Sequence, residues 1–271
     1  MKNSLNANAL FHFTPKFEYL LSILRNGFRT RYCYEEFLGG AVRFKEHLNK
    51  ITKTEFKNEI IGIPMVCFCD IRLSQIKYHM NQYGGDGFGI GLSKEWNEAK
   101  LLSQVIYMQS AEKGMVSDTL QGLLMQISQY QNDKILTNSF LDLASCVKPY
   151  KGYSWDNLKN EPSNKETIFY NEREWRFIPC IRTHKLNEKK KILCENIEPI
   201  LTIESNWEAE NLKLEKSIYN IDFNANDVKY IIVPNNEYRD QLIKKIKAFK
   251  IDTMDLEISK IITKEQIEED F

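Results

Sequence analysis

Tyr170-Asn171-Glu172-Arg173-Glu174-Trp175-Arg176-Phe177-Ile178-Pro179 is the stretch whose reading decides the fold. If residues 167–178 form a strand, side chains alternate between its faces. Glu172, Glu174 and Arg176 then share one side, and Arg173, Trp175 and Phe177 the other. The two rings would anchor the strand in a core, so two carboxylates and a guanidinium would project together from a rigid element. Beside a cleft, such a carboxylate can hold a sugar hydroxyl, stabilise a developing oxocarbenium ion or take a proton. A plain ladder of charges on a half-exposed strand fits the same alternation.

Upstream, residues 9–14 read as a short strand with Phe11 and Phe13 on one face and Leu10, His12 and Thr14 on the other. Pro15 ends it. The run Phe17-Glu18-Tyr19-Leu20-Leu21-Ser22-Ile23-Leu24-Arg25-Asn26-Gly27 has apolar residues at helical spacing, with Gly27 placed as a C-cap glycine. Residues 28–62 are polar, with a helix expected around residues 44–48. A strand is expected at 63–71, a helix at 73–83 and a strand at 87–92, after which Ser93 opens another helix. A capping box would place glutamate where Trp96 stands. From about 117 to 147 the pattern is helical, with Leu120, Leu123, Leu124 and Ile127 on one stripe, an insertion in a fold of strands. Residues 151–166 read as a polar loop, and strand, helix, strand are expected at 228–234, 238–249 and 254–258. No internal repeat or low-complexity linker divides the chain, which favours one domain.

Several residues invite a chemical reading beside a bland one. His12 and Thr14 can both hydrogen-bond a polyhydroxylated ligand, while a lone strand histidine is also a common structural residue. His12, His47, His79 and His184 show no metal-ligand spacing. Cys67-Phe68-Cys69-Asp70 is not a CxxC motif, and alternation makes Cys67 and Cys69 packing residues, so no metal is expected. Gly87, Gly89 and Gly91 alternate within a strand rather than preceding a helix, which is the wrong order for a dinucleotide loop. They leave one strand face bare, for close packing or for a flat ligand. Phe28-Arg29-Thr30-Arg31-Tyr32 is either an ordinary basic loop or a grip for phosphates with a stacking ring.

Composition narrows the class. With 271 residues, 42% of them hydrophobic, the chain can bury a large core. Basic and acidic residues balance at 37 each, so net charge gives no argument for a nucleic-acid binder. The six cysteines are scattered through apolar segments, as reduced cysteines are. No apolar run suits a signal peptide or a membrane helix, and a cytoplasmic location is expected.

Leu10-Phe11-His12-Phe13-Thr14, Ile23-Leu24-Arg25-Asn26-Gly27-Phe28, Arg31-Tyr32 and residues 63–71 together resemble the AbiGi family of abortive-infection proteins. Tyr83-Gly84, Gly89-Ile90-Gly91-Leu92-Ser93-Lys94-Glu95-Trp96 and residues 172–179 continue the likeness, which covers most of residues 9–180. That resemblance implies a phage-defence role, as the antitoxin partner of a nucleotidyltransferase-like toxin. The order of elements also resembles ADP-ribosyltransferases. It implies an α+β, ADP-ribosyltransferase-like split antiparallel sheet with flanking helices in a single domain, 1–271. A helical insertion would occupy about 112–150 and a C-terminal β-α-β extension about 190–271.

In that superfamily a histidine and a hydroxyl on the first strand hold the NAD ribose, matched here by His12 and Thr14. Loop contacts to NAD fall to Arg31 and Tyr32, and Tyr83 joins the implied cofactor-binding set. Glu174 matches the glutamate that directs transfer, and Glu172 the upstream member of a two-glutamate spacing. The branch with that spacing carries arginine, not histidine, on its first strand, so this chain mixes two patterns. The expected activity is ADP-ribose transfer from NAD to a macromolecule, RNA and DNA among the candidate acceptors. The alternative is a non-catalytic antitoxin or sensor bound to a partner toxin. A nuclease is disfavoured, because no carboxylate and lysine cluster has metal-ligand spacing.

Overall fold

The computed structural model describes residues 7–36, 42–52, 55, 60–83, 87–109, 113–129, 134–156, 161–179, 200–202, 205–215, 219–248 and 258–270. Its centre is β3 (Ile60–Cys69), an almost wholly buried strand, as its run of apolar residues requires. Numbered along the chain, β1 (Ala9–Thr14), β2 (Arg31–Glu36), β4 (Phe88–Ser93), β5 (Ser103–Gln104), β10 (Glu174–Phe177), β11 (Leu201–Thr202), β12 (Val228–Val233) and β13 (Ile261–Thr263) join it in one nine-stranded sheet. The order is β13-β12-β4-β1-β3-β10-β5, with β2 and β11 also paired to β3. Only β12 and β13 run parallel within it.

β3 serves two halves of this sheet. β1 meets it at one registered pair, Phe11 with Cys69, and β10 pairs along residues 66–69. From Met65 back to Ile60, six registered pairs with β2 take over. The β1–β3 ladder therefore opens just past Phe11, and His12 Nδ1 lies 2.8 Å from Cys67 O there. A cleft at this opening follows from the register alone.

Packing follows the alternation. Leu10, Phe68, Ile90 and Leu92 face α1 (Phe17–Asn26), α4 (Lys94–Lys100) and α8 (Asn236–Ala248) in the largest core cluster. Ala9, Phe11 and Ile232 face the other way, towards α3 (Ile76–Tyr83) and α9 (Lys264–Asp270). The N-terminal half of β3 packs on α2 (Val42–Thr52), α5 (Met115–Gln129) and α6 (Lys134–Ala144). Among the described residues no helix is long and apolar enough to cross a membrane.

The glycine-rich strand resolves towards packing. A Cβ on Gly91 would stand 2.7 Å from the Phe11 ring, and one on Gly89 2.9 Å from the Phe13 ring. The bare face of β4 is filled by the two phenylalanines of β1. Ser93 caps α4 by accepting from the Trp96 N–H at 3.1 Å, so the cap forms without the glutamate of a capping box.

Three expectations differ. The segment 28–62 contains β2 as well as α2; its residues Tyr-Cys-Tyr-Glu-Glu alternate too weakly for the period to stand out. Residues 151–166 are not a loop, because β8 (Gly152–Asp156) and β9 (Glu161–Thr167) form a polar antiparallel hairpin. The late strand is shorter than 167–178. A 3-10 turn covers Phe169–Glu172, Arg173 is left-handed at φ 45°, and β10 starts at Glu174.

The helical insertion of α5 and α6 is followed by β7 (Val147–Pro149), which pairs parallel with β6 (Ile106–Met108) in a separate two-stranded sheet. At the C-terminal end β12, α8 and β13 continue the main sheet beyond β4; this last strand lies at 261–263, while the strand expected at 254–258 falls, but for Ile258 in a 3-10 turn, outside the described residues.

Candidate functional site

Where β1 leaves β3, a cavity of about 530 Å³ opens between β1, β2, β3, β7, β8 and β10. His12, Arg31, Tyr32, Glu172 and Glu174 all line it. Residues far apart in the chain thus meet at one place. Thr14 does not: it is buried two residues further along β1, opposite Phe88, and outside the lining. Tyr83 ends α3, and its side chain lies outside the described residues.

Glu174 sits at the centre of a buried charge network. Arg176 donates to it twice, Nε to Oε1 at 2.8 Å and Nη2 to Oε2 at 3.1 Å. Lys148, carried in by β7, donates to Glu174 Oε2 at 3.1 Å and Glu172 Oε2 at 3.0 Å. Glu35 of β2 completes the group, 3.1 Å from Arg176 and 3.8 Å from Lys148. Burial alone would raise the Glu174 carboxyl, but Arg176 and Lys148 override it and hold the group well below the usual carboxylate range. Burial likewise opposes the Lys148 charge, while Glu172, Glu174 and Glu35 keep it protonated. The left-handed Arg173 brings Glu172 round to Lys148 despite the 3-10 turn. Tyr107 fixes the junction, since its hydroxyl accepts the Glu174 N–H at 2.9 Å.

His12 stands on the opposite wall, on the sheet face that carries Phe68, with its ring 5.1 Å from Phe28 and 5.7 Å from Phe68. Strand alternation puts the Glu174 side chain on the other face, with Cys67 and Cys69, so the two residues leave opposite faces of the sheet and line the same cavity where the ladder opens. Burial lowers the His12 pKa, against the opposing pull of the Cys67 carbonyl. A carbonyl can only accept, so Nδ1 carries the proton and Nε2 of the neutral ring is an acceptor. His79, 3.2 Å from Cys69 Sγ, is pushed down to about 4 by burial and the nearby Lys148 charge. Burial, with the adjacent carboxylates, keeps Cys69 a thiol; for Cys67 the hydrogen bond that its thiol makes to Cys33 acts first and burial adds to it.

At the mouth Arg31 is exposed, whereas Tyr32 is core: it is 5% exposed, its ring packs on Trp207 of α7 (Trp207–Lys213), and its N–H donates to Asn211 Oδ1 of the same helix at 3.0 Å. Tyr34 lies between Trp155 and Trp207, stacked at 4.6 and 3.8 Å. Among the described residues no group of three or more His, Cys, Asp or Glu could hold a metal ion.

Sequence reasoning missed Lys148, Glu35 and Tyr107. Lys148 carried one legible signal, a lone charge in the apolar run Ala144-Ser145-Cys146-Val147-Lys148-Pro149.

Fold and site together define a class: an α+β protein with a charged cavity at the split of its sheet. The particular family follows from comparison. The pattern of the family described as "Putative abortive phage resistance protein AbiGi, antitoxin" matches residues 29–234, and the chain belongs to that family. It is similar to the "Abortive phage resistance protein AbiGi" of Lactococcus lactis subsp. cremoris, at 29% identity over 242 residues covering 82% of this chain and 94% of that protein. No solved structure matches.

Proposed function

We propose that this AbiGi protein works in abortive phage resistance as an antitoxin, holding a cognate toxin by binding rather than by a group-transfer reaction. One observation carries this reading beside the family description. Both oxygens of Glu174 are engaged by Arg176 and Lys148, and Glu174, Arg176, Lys148 and Glu172 are all buried. A carboxylate held this way stabilises a cavity wall, and freeing it for chemistry would cost Arg176 and Lys148 a shared ion-pair partner. The cell compartment consistent with this role is the cytoplasm. The test is co-expression with the cognate toxin. Glu174→Gln, checked by circular dichroism for an intact fold, is expected to neutralise the toxin as the parent chain does. Loss of neutralisation in a folded variant would count against a binding-only role.

A second reading is favoured by the cavity itself. A sheet split at β3, with His12 and Glu174 on opposite walls of one pocket, is the arrangement expected of an ADP-ribosyltransferase-like fold. The volume suits a ligand of cofactor size. In that reading NAD is the substrate. His12 Nε2 accepts from a ribose hydroxyl, and Arg31 at the mouth meets phosphate. Glu174, with Glu172 behind it, stabilises the charge that develops as the nicotinamide bond breaks. The acceptor is a macromolecule, protein or nucleic acid. Incubation with labelled NAD and an infected-cell lysate discriminates: transfer that Glu174→Gln abolishes establishes the enzyme, and absence of transfer leaves the antitoxin.

A further inference from the structure

The hairpin of β8 and β9 is a two-stranded sheet of its own, paired to no strand of the main sheet. A lone hairpin is marginally stable, so its hold on the body decides where it sits. At its base Gly152 pairs with Thr167 and Tyr153 with Glu166, and the Tyr170 N–H donates to Tyr150 O at 3.2 Å just below. At its outer end Trp155 pairs with Pro162 and Asp156 with Glu161. Between the two ends the register shifts, so that Ser154 stands opposite residues 163–165. There the Lys165 N–H donates to Ser163 Oγ at 3.2 Å, a bond within β9, and Pro162 has no N–H to give the ladder. Cross-strand pairing lapses at the waist of the hairpin, as at a bulge, and leaves a natural hinge.

Trp155, on the outer end, forms part of the cavity wall together with Tyr153 and Ser154. Its ring stacks on Tyr34 of β2 at 4.6 Å, which holds the outer end against the body. Its Nε1 is buried and has no hydrogen-bond partner among the described residues. Trp96 and Trp207 differ, since Trp96 Nε1 donates to Asp222 O and Trp207 Nε1 to Thr202 O, each at 2.9 Å. A buried indole N–H ordinarily finds an acceptor. The closed position of Trp155 thus carries an uncompensated donor that water would satisfy outside. We propose that the outer end of the hairpin is a flap over the cavity, hinged at the register shift and latched by the Trp155–Tyr34 stack. Swinging out, it gives the Trp155 N–H to water and uncovers Cys33 and Cys67, whose side chains line the cavity. The flap governs entry to the cavity and is independent of which ligand or partner the cavity serves.

Exchange of the indole protons with water, read by nitrogen–proton NMR on the full chain, tests the hinge. Because Trp155 Nε1 is buried, its proton exchanges when the flap opens. It is expected to exchange roughly 100-fold faster than the protons of Trp96 and Trp207, which their acceptors hold until larger openings occur. A Trp155 proton that exchanges as slowly as those two overturns the flap. Iodoacetamide labelling resolved by peptide mass spectrometry measures entry, with Cys146, outside the cavity lining, as the internal reference. Trp155→Ala removes the latch and should speed the labelling of Cys33 and Cys67 by about 10-fold relative to Cys146. Trp155→Phe keeps a ring on Tyr34 without the orphaned N–H and should not speed it. Equal rates in the parent chain and Trp155→Ala overturn the proposal, as does equal acceleration by both variants.

Discussion

Lys148 is held by three carboxylates and by the Phe169 ring, 4.4 Å from its ammonium. Removing it would leave Glu172, Glu174 and Glu35 with Arg176 as the remaining cation of the network. Breaking a buried ion pair from one side costs about 3–5 kcal/mol, mostly because the abandoned charge stays buried. Lys148→Met is therefore expected to lower stability by about that amount in urea unfolding, whereas Lys50→Met, which breaks an exposed helical pair, should be close to neutral. His79 makes the network pH-sensitive. Its pKa falls from 6.5 to about 4 on folding, so the unfolded chain binds more protons between those values. Its stabilisation is complete above about pH 6.5 and is lost as pH falls towards 4, by up to about 3 kcal/mol. Urea midpoints across that window should fall less steeply in His79→Gln; parallel curves would remove His79 as the cause.

Single elements decide how these side chains meet. Reading residues 172–176 as one strand put Glu172, Glu174 and Arg176 on a common face, and all three do join the same network. The route was different, because the strand begins only at Glu174 and Arg173 turns left-handed before it. Alternation sees side-chain direction but not a φ reversal, and arginine gives no cue that it will adopt one. The positions of Lys148 and Glu35 in the site were illegible for another reason. Their places come from β7 returning after the insertion and from β2 pairing with β3, both long-range events. The first strand, its His12 and the helix capped by Gly27 were legible because periodicity and capping are local. Arg173→Val tests the turn. A β-branched residue is strained at φ 45°, so stability should drop by roughly 1–2 kcal/mol. Part of that loss should vanish in the background of Glu172→Gln, as a double-mutant cycle would show.

For the molecule as a whole, β3 ties together two half-sheets, and the cavity at their opening is lined by residues from six strands. A ligand seated there contacts both halves at once and is bound by the folded chain alone, so it must raise the free energy of global unfolding. At 100 times its dissociation constant the gain is about 2.7 kcal/mol. For a chain of 271 residues that corresponds to a rise of about 5 °C in Tm. The two functional readings part here. Under the transferase reading NAD raises Tm in proportion to the logarithm of its concentration. His12→Ala, which removes the imidazole acceptor on the β1 wall, abolishes the rise without lowering the unliganded Tm by as much. Under the antitoxin reading NAD leaves Tm unchanged, and the purified toxin raises it in both the parent chain and His12→Ala. Differential scanning calorimetry with NAD, ADP-ribose and toxin in turn separates the cases. A rise with NAD that survives His12→Ala would move the ligand out of this cavity altogether.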